Sequence, residues 1–289
     1  MSNPSKKKSS SLWKKNLRKF TNNKLAMIGF IFVILITLLC ILAPFVTSYD
    51  PKKIDYSAKG QPPSFEHILG TDKLGRDIFA RVLYGGRISI LIGLVGALSG
   101  SIIGMVLGSI AGYFGKWVDV ILVRISEIFQ TFPSMILILI MVAIVGPGLI
   151  NILIVFSLTG WMTTFRMVRN EFLALREETY VKVCEAFGMS KTSIMFKQIL
   201  PNVLSPVIVA TTVNVAGFIL SEAGLSYLGV GVPSSMPTWG NLLNAAKSMD
   251  IIENYWWLWI IPGIVISVFV LAINFFGDGL RDVLDPKQQ

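Results

Sequence analysis

Residues 180–202 read YVKVCEAFGMSKTSIMFKQILPN, and the reading of this stretch decides how the rest of the chain is understood. Lys182, Glu185, Lys191 and Lys197 sit among apolar residues at helical spacing, so the stretch is too polar to cross a bilayer and too periodic for a loop. Gly188 permits a sharp turn in its middle. Ser190 is placed to cap a helix over residues 191–199, and Pro201 is expected to end that helix. Upstream, residues 169–180 and 181–187 have helical character. The spacing predicts two short helices joined at a glycine. Such a compact knob can dock into a partner's cleft, or it can lie at the membrane surface as an amphipathic pair.

On both sides of the knob lie long apolar runs. Of 289 residues, 53% are hydrophobic and only 15% charged, against about a quarter charged in soluble domains. The class is therefore a membrane protein. A spanning helix needs about 20 mostly apolar residues. Six stretches qualify: 25–46, 88–113, a third from just after Glu127 to 145, a short fourth at 149–165, 203–230 interrupted by Glu222, and 256–276. The expected fold class is an all-α polytopic membrane protein with six transmembrane helices.

Orientation follows from the basic residues. Lys6, Lys7, Lys8, Lys14, Lys15, Arg18, Lys19 and Lys24 precede the first span, with no acid among them. The positive-inside rule places that tail in the cytoplasm, together with the C-terminus and residues 166–202. Lys and Arg then divide 18 inside and 8 outside. The organisation read from this is a basic tail (1–24), a first span (25–46), an extracytoplasmic loop (47–87), a core of five helices (88–278) containing the 166–202 loop, and a second cytoplasmic tail (279–289). The first apolar run exceeds the core of a secretory leader and no small-residue cleavage pattern follows, so removal is not expected. Outside, residues 76–87 read as a short amphipathic surface helix. Residues 231–255 form a Pro- and Gly-containing loop before Trp256, Trp257 and Trp259, which read as an interfacial belt.

Several function classes lose support. The net charge of +9 comes from residues beside apolar runs, not from a patch interleaved with aromatics, so nucleic acid is not expected as a partner. Cys40 lies in an apolar run and Cys184 in a polar loop, so no disulfide is expected. No zinc spacing exists and His67 is the single histidine, so no metal site is expected. Gly115-Lys116 is followed by Trp117, which is not a phosphate loop. The chain reads as a pathway lacking its engine. Glu222 is the acid within a span, and is read either as a residue of the translocation pathway or as a hydrogen-bonded structural Glu near the outer mouth. Gly96, Gly100, Gly104, Gly108 and Gly112 recur every four residues and form a groove for close helix approach, within the chain or between subunits.

The knob resembles a loop of the permease subunits of ATP-binding-cassette (ABC) importers. Their signature is Glu-Ala-Ala, three residues, Gly, nine residues, then Ile-x-Leu-Pro. Gly188 and Leu200-Pro201 match in spacing. The Glu-Ala-Ala positions fall on Lys182, Val183 and Cys184, and the Ile position on Gln198. Glu185-Ala186 is three residues out of register, so a salt bridge from the family's acid to an ATPase is not carried over. LGTDKLGRDIFARVLYGGRISI (69–90), EAGLSYLGVG (222–231), PTWGNLL (237–243) and NFFGDGLRDVLDP (274–286) resemble the oligopeptide/dipeptide (peptide/nickel) type. In the last of these, Asp278, Arg281, Asp282 and Asp285 read as a helix end with local ion pairs.

The resemblance implies a type I ABC-importer permease fold, and a subunit forming half of a pathway for peptides handed over by an extracytoplasmic binding protein. A nickel or other small-solute importer is the alternative, and an ion-coupled secondary carrier a further one. Implied partners are a homologous second permease, two cytoplasmic ATPases that bind ATP and Mg, the binding protein and the cell-membrane bilayer. The chain itself is expected to bind no cofactor and to be no enzyme. The implied ATPase-coupling loop contains Lys182, Val183, Cys184, Gly188, Ser190, Leu200 and Pro201.

Overall fold

The computed structural model describes residues 18–284; the basic tail as far as Lys15, and Asp285, lie outside the described residues. Helices account for the architecture. α1 (Lys24–Ile41) begins at Asn23, whose side chain accepts from the Ala26 N–H. α2 (Ile78–Phe114) runs for 37 residues from Asp77, whose carboxylate caps the Ala80 N–H at 2.7 Å, to Gly115 with φ +60°. α3 (Lys116–Gln130), α4 (Ser134–Val145), α5 (Leu149–Thr159), α6 (Trp161–Leu175) and α7 (Thr179–Ala186) follow. α8 (Lys191–Leu228), the short α9 (Trp239–Leu243), α10 (Met249–Asn254) and α11 (Trp257–Leu284) complete the chain.

Five helical segments are long and apolar enough to cross a membrane, or six if the bent pair α3–α4 counts as one span. That pair turns through 90°, so the expected third span is a broken one. The reason is local. Asp119, Arg124 and Glu127 make α3 two-faced, and Pro133 disfavours helix at the residue before it. The fourth span is longer than expected, because α5 and α6 continue each other from Leu149 to Leu175.

Three further expectations are corrected. Residues 76–87 are no surface helix: from Ile78 they are the first turns of α2, with Ile78, Arg81 and Val82 buried. Asp77 starts the helix there, and the Gly85-Gly86 pair serves packing, a Cβ on Gly85 meeting Thr238 at 3.2 Å. Pro201 does not end a helix. Residues Ile194–Ile199 form a π-helical stretch in which the Leu200 N–H reaches Met195 O, five residues back. The wider turn relieves the clash between a proline ring and the carbonyl four residues earlier, so α8 continues. Of the presumed tryptophan belt, Trp257 is buried and its Nε1 donates to Thr71 O at 3.1 Å. Trp256 is exposed.

α2 lies at the centre, against α6, α5, α8 and α1. Its glycine stripe is what lets α6 approach. A Cβ on Gly100 would stand 2.8 Å from the Gly160 carbonyl carbon, and one on Gly108 2.7 Å from Phe165 O. Gly96 faces Phe156, Gly104 faces Trp161 and Phe165, and Gly112 faces Arg169 and Phe172. The groove is occupied by the chain's own helices. α11 packs along α1, with Gly29 against Ala272 and Gly279 against Ala26. There the local ion pairs expected at the end of α11 are not formed among the described residues: Asp282 instead accepts from Asn23 Nδ2 at 3.1 Å.

Candidate functional site

The knob at residues 179–203 is a helix–turn–helix built by two capping devices. At the end of α7, Gly188 takes φ +72°. Its N–H donates to Glu185 O at 2.9 Å and the Met189 N–H to Cys184 O at 3.1 Å, the paired bonds of a Schellman turn. Ser190 then caps α8, accepting from the Ser193 N–H at 3.4 Å. Cys184 is in helix, not in a loop, and packs with Met189 on the edge of a core cluster.

That cluster makes the knob rigid. Val181, Ile194, Met195, Ile199 and Val203 are buried together with Tyr113 of α2 and Val168 and Phe172 of α6. Two polar links add to it. Tyr113 donates its hydroxyl hydrogen to Glu185 Oε1 at 2.9 Å, and Arg176 Nη1 donates to Gly112 O at 3.2 Å. Glu185, out of register with the signature, thus binds inward to α2. Lys182, at the signature's acidic position, pairs with Glu177 at 3.4 Å, both side chains exposed.

Among the exposed residues of the knob are apolar ones that nothing in the chain covers. Phe187 is 84% exposed and Val183 45%. A Cβ at Gly188 would meet nothing within 4 Å. Tyr180, Phe196 and Pro201 are exposed as well, and Leu200 is half-buried. Sequence reasoning named Val183, Gly188, Ser190, Leu200 and Pro201 but missed Phe187 and the Tyr113–Glu185 link. Phe187 was legible as the residue before the turn glycine; the link joins residues 72 positions apart.

At the other end of α8, Glu222 has no exposed surface. Its Oε1 accepts from Ser226 at 2.7 Å and from Thr238 at 2.8 Å, and its Oε2 from Ser89 at 3.4 Å. Trp239, fully buried, donates its backbone N–H to Ser89 Oγ at 3.0 Å and its Nε1 to Val82 O at 2.9 Å. Asn241 donates to the carbonyls of Val232 and Met236, and Asn244 to that of Ser226. The segments 69–90, 222–231 and 237–243, separate in sequence, are one polar plug holding α9 between α2, α8 and α11. In this conformation Glu222 is buried and accepts hydrogen bonds from three hydroxyls. Neighbouring residues are tied in the same way. Asp72 accepts from the Leu74 and Arg76 N–H groups, and His67 Nδ1 lies 2.9 Å from Asp77 Oδ2.

Residues 104–289, carrying the lower stripe, the knob and the 222–243 part of the plug, match the family described as binding-protein-dependent transport system inner membrane component. The chain belongs to that family. Residues 11–63 of this permease match the N-terminal transmembrane domain of oligopeptide transport permease C. It is 40% identical over 279 residues to the dipeptide transport system permease protein DppC of Alkalihalophilus pseudofirmus, covering 96% of this chain and 91% of that one. It is 40% identical over 281 residues to the oligopeptide transport system permease protein OppC of Bacillus subtilis, covering 97% and 92%. A chain of the MetNI methionine ABC transporter in an inward-facing conformation shares the fold, with TM-score 0.57 and 20% identity over 70% of the permease and 94% of that chain. The permease is therefore a multi-pass protein of the cell membrane with the type I ABC-importer fold, and a transport subunit by family.

Proposed function

We propose that this permease forms half of the translocation pathway of an ATP-driven peptide importer, and that the Gly188 knob is where it receives mechanical work. The observation that carries the coupling reading is the uncovered Phe187–Val183 face on a base locked into α2 and α6. An apolar face exposed to water at the tip of a rigid helix pair is a docking surface. The occupant is a cytoplasmic ATPase, one of two that bind ATP and Mg; this chain binds neither. The knob and both termini are cytoplasmic, in keeping with the distribution of Lys and Arg. A homologous second permease supplies the other half of the pathway, and an extracytoplasmic binding protein delivers substrate at the Trp239 end. Peptide is supported over nickel by the names of both relatives and of the N-terminal match.

In mechanism, ATP binding closes the ATPases and moves both knobs. α8 begins in the knob and continues through the bundle, so the displacement reaches the pathway without a hinge loop. ATP must favour one arrangement over the other by its differential free energy of binding, and hydrolysis reverses the shift. The Glu222 plug holds the opposite end of α8 to α2 and α11.

The test is purification of the tagged chain in mild detergent, identification of what co-purifies, and uptake of labelled peptide by the reconstituted assembly. Recovery of a second permease and two ATPases with ATP-dependent uptake is expected. A chain that purifies alone and transports on an ion gradient without ATP would overturn the proposal.

A further inference from the structure

A cavity of about 400 Å³ lies where the α3–α4 bend and the α5–α6 junction face α8. Its lining contains no ionisable residue; its polar groups include Gln130, Thr159, Thr163, Asn214 and Ser221. Asn214, Gly217 and Ser221 recur at helical spacing, so one face of α8 lines the cavity. A Cβ on Gly217 would meet nothing within 4 Å, so the space beside that face is open.

Asn214 stands fourteen residues from each end of Leu200–Leu228, about 21 Å from either at the helical rise. It is thus midway along the apolar part of α8, and within a bilayer an amide without a hydrogen-bond partner is costly. Asn151, Asn241 and Asn244 all engage backbone carbonyls. Asn214 and Gln130 form no side-chain hydrogen bond among the described residues. Thr159 and Ser221 donate to carbonyls of their own helices, which leaves their oxygens as acceptors. The wall thus offers neutral amides and hydroxyl acceptors, with Phe129, Phe132 and Phe218 around them. An amide complements a peptide bond, donor to acceptor and acceptor to donor. A neutral wall neither traps nor repels a charged side chain.

Resting on the peptide-importer reading, we infer that the Asn214 face of α8, with Gln130, hydrogen-bonds the main chain of a peptide in transit and that this wall does not read side-chain charge. Asn214 is a specificity-determining residue by its neutrality.

The experiment uses the complete reconstituted transporter with its binding protein. Three tripeptides are supplied, identical except for Ala, Lys or Glu at the centre. The binding protein is common to wild type and variants, so its preferences cancel in the comparison. Asn214→Leu is expected to lower uptake of all three alike by about five-fold, the worth of one net hydrogen bond. Asn214→Asp is expected to shift the Lys-to-Glu uptake ratio by at least about five-fold toward Lys, a readout that a loss of stability does not move. Wild-type uptake of peptide, with both variants keeping the wild-type rate and charge ratio, overturns this inference and leaves the proposed function standing. A wild-type complex that imports no peptide overturns both.

Discussion

The two ends of α8 use similar residues in opposite ways. At the Glu222 end a carboxylate, three hydroxyls and an indole are buried and hydrogen-bonded, and two half-buried amides, Asn241 and Asn244, bond carbonyls around them. At the Gly188 end the base is as well packed, yet Phe187 and Val183 project into open space. The plug end is a closed structural device. The knob end carries apolar residues that the chain itself leaves uncovered, and α2 with its glycine stripe packs between the two. Under the proposed coupling role, the buried acid belongs to the architecture and the exposed apolar residues to the docking face.

That contrast can be broken in four graded ways. The largest effect is expected at the frame. Gly108→Leu forces a side chain into Phe165 O and costs about 3 kcal/mol or more, since the obstacle is backbone and cannot yield; little monodisperse complex should be recovered on size exclusion, and a normal yield would show the stripe to be dispensable. Glu222→Ala comes next. It strips Ser226, Thr238 and Ser89 of their acceptor at about 3 kcal/mol. The detergent-solubilised melting temperature should fall by about 10 °C, and a fall under about 2 °C would mean that the plug does not hold the frame.

Gly188→Val strains a left-handed residue by about 1–2 kcal/mol. Assembly should survive while ATP-dependent uptake is lost, and Gly188→Asn, which tolerates that conformation, should restore uptake. Wild-type uptake by the Val variant would remove the knob's turn from coupling. The smallest change in stability is expected for Phe187→Ala, about 0.5 kcal/mol or less because the side chain touches little. Binding-protein-stimulated ATP hydrolysis and uptake should both collapse in the assembled complex, and unchanged coupling would leave the exposed face without an occupant.

The knob was legible because its signals are local. A turn glycine, a capping serine and helical alternation lie within about two turns of one another, the range over which backbone hydrogen bonds act. Pro201 misled for the same reason: its local meaning is to stop a helix, and the π stretch that rescues α8 depends on Ile194, Met195 and Ile199 being buried against Tyr113 and Phe172. The surface helix and the placing of Trp257 in an interfacial belt failed because amphipathic patterning does not distinguish a lipid–water boundary from a protein core. Arg81 and Trp257 face other parts of the chain, not the bilayer.

From the sequence alone came the membrane class, the apolar spans, the knob with its turn at Gly188, and the glycine groove, each a matter of composition or of spacing within a single helix. Only the tertiary structure decided that the groove holds α6, that the third span is bent, that Glu185 binds Tyr113, and that Glu222 lies inside a plug. These are pairings between residues tens of positions apart. Which polar group finds which partner depends on how the helices cross, and helical periodicity carries a face but not the identity of the neighbour that will cover it.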